Sequence, residues 1–119
     1  MSTPTLGRVI ISVSRLDRAL AFYEGLLGLW RRAAPPGFAV LLLGSGASAV
    51  ELMLQERPTH PSMAGVALSV RVDDVNTMAE EAQRIGCVVI DQPTDQPWGE
   101  RLAVLTDPDG HVICLSTPI

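Results

Sequence analysis

Few side chains in this sequence are equipped for chemistry, and their spacing narrows what they do. His60 lies beside Pro61 and His111 directly follows the turn glycine Gly110. Both histidines read as exposed loop residues, and neither can be joined to Glu51 by a local metal-ligand spacing. Cys87 and Cys114 stand alone, as reduced thiols of a cytosolic protein do. Cys114 reads as a small core hydrophobe rather than a nucleophile, because a reactive thiol needs a depressed pKa and Arg8 is the sole cation the pattern brings near it. Gly44-x-Gly46-x-x-Ala49 matches a dinucleotide-binding string, but a strand pattern follows it where that mechanism needs a helix, so it reads as a hairpin turn. Asp107-Pro108-Asp109-Gly110 is a tight turn before it is a cation site. Trp98, in the polar stretch 91–101, either covers a pocket mouth and stacks on a planar ligand, or anchors its loop or faces a second subunit.

The elements that must position these residues form a repeat. Displaced by 57 residues, the segment 8–13 lies over 65–70, with Val9, Ser12 and Val13 on Val66, Ser69 and Val70. One gap later Leu27-Gly28 falls on Ile85-Gly86; in a second stretch, displaced by 64, Ala39-Val40-Leu41 falls on Ala103-Val104-Leu105, and after a further one-residue slip Glu51-Leu52 falls on Cys114-Leu115. Two units follow, 6–56 and 65–117, joined by a linker over 57–64. Each opens with a short β-branched strand, at 9–13 and 66–70. A helix comes next. The first starts at a capping box, Ser14-x-x-Asp17, buries Leu16, Leu20, Tyr23 and Leu27, and stops at Gly28. The second is capped by Asp73 or Asp74, buries Val75, Met78, Ala79, Ala82 and Ile85, and stops at Gly86. Three strands close each unit, at 29–33, 38–43 and 48–54 and at 87–90, 101–106 and 111–116. The unit is βαβββ, twice, and the fold class α+β.

Period-two alternation assigns the strand faces. Val9, Ile11, Val13, Val50, Leu52, Leu54, Val66, Leu68, Val70, Ile113 and Leu115 form dry faces under the helices. Phe22 and Tyr23 read as core, and Trp30 as interior or a dimer contact. The other face gathers Arg8, Ser12, Glu51, Met53, Ser69, Cys114 and Ser116, with Phe38 near a strand end. One dry and one partly polar face invite a concave ligand pocket.

Composition removes other classes. A chain of 119 residues that is 47% hydrophobic is not disordered. It has no apolar run near the ~18 residues of a membrane span. The first seven residues lack the form of a signal peptide, so a cytoplasmic location is expected. A formal charge of −4 without basic clusters, and 4% aromatic residues, argue against nucleic-acid binding. That charge weakly favours a cationic ligand through steering. Charged residues at 18%, below the ~25% usual for soluble domains, hint at surface buried in a homodimer.

The sequence resembles the vicinal oxygen chelate superfamily (glyoxalases, bleomycin-resistance proteins and extradiol dioxygenases). The matching features are Val13-x-x-Leu-Asp-Arg-Ala-Leu-Ala-Phe-Tyr23 with Leu27-Gly28, and Asp107-Pro-Asp-Gly110 before the last strand. Gln96-Pro-Trp-Gly99 is similar to bleomycin-resistance proteins and antibiotic-binding relatives. The resemblance implies that residues 1–119 form a single domain whose two tandem modules make a curved mixed sheet, a half-barrel, with helices on the outer face. It also implies four metal-ligand positions, which fall on Arg8, Glu51, Gly65 and Cys114. Arginine has no lone pair to give and glycine no side chain, so no metal is expected; Glu51 alone is an ordinary ligand. Arg8 and Glu51 either form a bidentate pair in place of the cation or both reach solvent at strand ends.

Two functions are expected to compete. One is a metal-free homodimer that sequesters a planar or cationic antibiotic-like ligand at a dimer-interface pocket, using Arg8, Ser12, Phe38, Glu51, Met53, Ser69, Trp98 and Cys114. The other is a divergent glyoxalase-like lyase or isomerase, or a dioxygenase-type enzyme, with a remodelled metal site or with Glu51 as base; burial would raise the Glu51 pKa and Arg8 would lower it. A closed-pocket domain used only to bind a protein partner is a third, lesser alternative.

Overall fold

A computed structural model describes residues 3–61 and 65–119. The end of the expected linker, 62–64, lies outside the described residues. The chain forms two compact units, Met1–Thr59 and His60–Ile119. The first contains β1 (Arg8–Val13), α1 (Leu16–Leu20) continuing as a π-helical turn (Ala21–Leu26), β2 (Trp30–Ala33), β3 (Phe38–Leu43) and β4 (Val50–Glu56). The second contains β5 (Leu68–Arg71), α2 (Val75–Arg84), β6 (Val89–Asp95), β7 (Glu100–Thr106) and β8 (Val112–Pro118). The βαβββ grammar thus holds in both. Each unit has its own open four-stranded sheet, ordered β1-β4-β3-β2 and β5-β8-β7-β6. In each, the first strand runs parallel to the last and the other neighbours are antiparallel. Among the described residues no helix is long and apolar enough to cross a membrane.

The dry faces follow period two. In the first unit Val13, Ala39, Leu41, Leu52 and Leu54 are buried beneath Ala19, Phe22 and Tyr23. In the second, Val70, Ala103, Leu105, Ile113 and Leu115 are buried beneath Val75, Ala79 and Ala82. The first helix differs from the expected stripe because it widens. The Leu27 amide donates to the Phe22 carbonyl at 3.0 Å, an i→i+5 bond. The wide turn brings two consecutive aromatic residues inward, and their rings meet edge to face at 4.8 Å. Leu16, Leu20 and Leu27 are only half-buried.

The capping box is also corrected. Arg15 is the N-cap residue and supplies no side-chain bond; the Leu16 amide instead donates to Glu56 Oε2 at 2.7 Å, across the unit from the end of β4. Asp17 pairs with Arg15. The second helix keeps its expected cap, with the Thr77 amide donating to Asp74 Oδ1 at 3.2 Å and the Thr77 hydroxyl to Oδ2 at 2.9 Å. Ile85 is half exposed at the C-cap and is not part of that helix's buried stripe.

Two strand expectations shift. The fifth strand begins at Leu68, because the chain bends at Gly65 and leaves Val66 80% exposed. The sixth runs to Asp95 instead of ending at 90; two register shifts break its alternation, so a polar edge strand reads as loop. Gly44 and Gly46 do sit in the connection between β3 and β4, which contains a 3-10 turn.

The turn at 107–110 is present. Asp107 Oδ1 accepts from the Asp109 and His111 amides, both at 2.9 Å, and the Gly110 amide donates to the Asp107 carbonyl at 3.0 Å. His111, expected exposed, is buried, since it shares the inward parity of Ile113 and Leu115 at the head of β8.

Candidate functional site

The second face of the first unit's sheet is built by register. Arg8 lies opposite Glu51, Glu51 opposite Leu42, and Leu42 opposite Trp30. The next row is Ile10, Met53 and Val40, and the one after it Ser12, Gln55 and Phe38. Arg8 Nη2 lies 3.5 Å from Glu51 Oε2, and Arg32 Nη1 lies 3.6 Å from Glu51 Oε1. The pair foreseen for Arg8 and Glu51 therefore exists, but as a single long contact rather than a bidentate one, with a second guanidinium on the other oxygen. Glu51 is less than a quarter exposed, while the two arginines are about half exposed.

Arg32 was not visible from sequence, because a bulge between Arg31 and Ala33 interrupts β2. Arg31 takes the opposite face, where it holds Glu24 through Nε and Nη2 at 2.7 and 2.8 Å. Arg57 was missed as well. It lies one step beyond β4 with the parity of Glu51, Met53 and Gln55, and its Nε donates to Ser12 Oγ at 2.6 Å. Trp30 is 67% exposed, which excludes the interior placement.

In the second unit the matching face sets Ser69 opposite Cys114, Cys114 opposite Val104 and Val104 opposite Asp91. Gly65, one of the four implied ligand positions, precedes β5 and lies outside the strand; the residue opposite Cys114 is Ser69. An open hollow of about 360 Å³ is lined by Ile90, Asp91, Gln92, Thr94, Gln96, Leu102 and Val104. Most of its polar residues come from the stretch that reads as loop, so sequence gave no reason to assign them to a sheet face. Trp98 does not line this hollow. It sits in the turn joining β6 to β7, 66% exposed, with its indole N–H donating to Glu100 Oε1 at 2.7 Å.

Neither thiol is poised to react. Burial, reinforced by the nearby Asp107 carboxylate, pushes the Cys87 thiol up to about 11. Burial raises that of Cys114 too. A protonated thiol is a poor nucleophile and no metal ligand.

The donor set at the four positions does not suit a divalent cation. Arg8 donates only, Gly65 has no side chain, Cys114 is a soft donor that burial makes harder to ionise, and both oxygens of Glu51 face guanidinium groups. Among the described residues no three His, Cys, Asp or Glu side chains are grouped to hold an ion. The charge is unevenly divided. Residues 1–59 carry six arginines against four acidic residues, and residues 60–119 carry three against nine. The net negative charge belongs to the second unit, whereas the first unit's second face presents Arg8, Arg32 and Arg57 against Glu51 alone.

Known proteins share this plan. Residues 5–115 match the family model described as Glyoxalase/Bleomycin resistance protein/Dioxygenase superfamily. A Mycobacterium tuberculosis protein named "Putative glyoxylase CFP32" is 36% identical over 106 residues, covering 86% of this chain; the chain spans only 40% of that protein's length. A Mycolicibacterium smegmatis protein is 30% identical over 119 residues, covering 100% of this chain and 98% of its own. The crystal structure of TnmS3, an antibiotic binding protein from Streptomyces sp. CB03234, superposes with a TM-score of 0.73 at 32% identity, over 100% of this chain and 99% of that one. A match across nearly the whole sequence, on a twice-repeated βαβββ unit, leaves one assignment: the chain belongs to the glyoxalase/bleomycin resistance protein/dioxygenase superfamily.

Proposed function

We propose that the protein is a metal-free small-molecule binder that sequesters a planar, antibiotic-like ligand, working as a homodimer whose groove is built from both chains. The observation that carries this reading is the engagement of Glu51 by Arg8 and Arg32. The one ordinary donor among the superfamily's four ligand positions already has a cationic neighbour on each oxygen, and sequestration requires no Lewis acid. The likeness to an antibiotic binding protein over the full chain supports the same reading. In it, the first unit supplies Phe38 and Met53 as flat apolar contact beside Ser12 and the Arg8–Glu51 pair, and the second unit supplies the exposed Trp98 ring, Ser69 and Cys114. The test is calorimetric titration of chelator-treated protein with bleomycin and other planar antibiotics, beside sedimentation equilibrium. Saturable heats and a mass twice the 12.7 kDa of one chain are expected. Absent heats with no thermal shift across the panel would overturn the reading.

The name of the mycobacterial relative favours a second reading, a glyoxalase-like lyase or isomerase or a dioxygenase-type enzyme. About one equivalent of zinc, nickel, manganese or iron per purified chain, lost together with a turnover activity, would establish it in place of the first.

A further inference from the structure

We infer that the second face of the first unit's sheet is a subsite for the oxyanion of a planar aromatic acid; this rests on the planar-ligand reading above and adds the ligand's charge. Arg8, Arg32 and Arg57 share this face with a single carboxylate, Glu51.

The two arginines beside Glu51 are held differently from the four that close on carboxylates elsewhere. Arg15, Arg31, Arg84 and Arg101 close on their carboxylates at 2.7 to 2.8 Å. Arg8 and Arg32 stand off at 3.5 and 3.6 Å, each through one terminal nitrogen. A charge-assisted N–H···O bond is about 2.7–2.9 Å long, so these guanidinium forks keep donors in hand for an incoming anion. Their side chains are 48% and 60% exposed, open to a ligand from solvent.

The surface beside the charges suits a flat ring. Ile10, Met53 and Val40 form the row next to Arg8, Glu51 and Leu42, and Ile10 is 52% exposed. A ring lying on that row places its anionic group against Arg8 or Arg32, while the methionine thioether makes a favourable contact with its edge. The whole-chain charge of −4 would predict the opposite preference, since the excess acid lies in the other unit.

The experiment compares 2-naphthoate, 2-naphthalenemethanol and 2-naphthylmethylammonium, titrated by calorimetry at low salt into the wild-type chain, Arg8→Gln/Arg32→Gln and Glu51→Gln. Circular dichroism confirms that each variant is folded. The expected result is that naphthoate binds about tenfold more tightly than either counterpart, the scale of one charge-assisted bond. The double variant loses that preference. Glu51→Gln, which removes the competing carboxylate, strengthens naphthoate binding several-fold. If all three probes bind equally, or the preference survives in the double variant, the charge inference is overturned and planar-ligand binding stands. If none binds, the charge inference is overturned, and the planar-ligand reading falls only if the antibiotic panel is silent as well.

Discussion

Glu51 sits where its superfamily would put a metal ligand, yet its surroundings make it a counter-ion. Its contacts to Arg8 and Arg32 are long and half exposed, and pairs of that kind contribute roughly 0–1 kcal/mol to stability. Glu51→Gln is therefore expected to shift the urea unfolding free energy by no more than about 1 kcal/mol; a loss of several kcal/mol would show a structural role instead. Cys87 gives a sharper signal. Its folded pKa of about 11 exceeds the value of an exposed thiol, so the folded state holds its proton more tightly than the unfolded chain does. Its contribution is complete below the unfolded pKa of about 8.5 and is lost as pH climbs from there toward 11. The urea midpoint should fall over that interval, with a shallower slope in Cys87→Ala; parallel slopes would contradict the assignment. Arg8 and Glu51 were legible because alternation puts each on the second face of its strand and the family resemblance implies that those strands are neighbours. Arg32 was not, since a bulge sets its direction, and Arg57 was not, since it lies past the end of its strand.

Local grammar marked the helices well and their ends less well. Asp74 caps α2 as a neighbour in sequence should, whereas α1 is capped by Glu56, forty residues away, which no local pattern can announce. Glu56→Ala is expected to cost about 1 kcal/mol, the usual loss for an N-terminal cap, measured by chemical unfolding. An unchanged midpoint would show the Leu16 amide satisfied by water. The widened turn after α1 was hidden for a related reason: helical spacing is read as 3.6 residues per turn, and a π turn moves Phe22 and Tyr23 inward together. At the 107–110 turn, Gly110 has a φ of +85° and a Cβ there would meet the Pro61 side chain at 3.2 Å. Gly110→Ala is expected to destabilise the protein by about 1 kcal/mol or more, from strain that an L side chain adds at positive φ. A smaller loss in thermal or urea unfolding would show that the turn relaxes.

Across the molecule, the duplication was the most legible feature, because two βαβββ units repeat both their hydrophobic pattern and their turn residues. The division of charge was equally present in the sequence, six arginines to four acids and then three to nine, but it is lost when only the total of −4 is read. That division matters for function: a charge averaged over the chain favours cations, while the face around Glu51 favours anions. The polar hollow of the second unit was concealed by the irregular β6, whose bulges and Pro93 resemble a loop. Guanidinium groups neighbour both oxygens of Glu51, and we propose that no divalent ion takes their place. Calorimetric titration of the chelator-treated chain with zinc, nickel, manganese and ferrous ions tests it most directly. No saturable binding at one ion per chain is expected; one-to-one binding that disappears in Glu51→Gln would show a metal site instead.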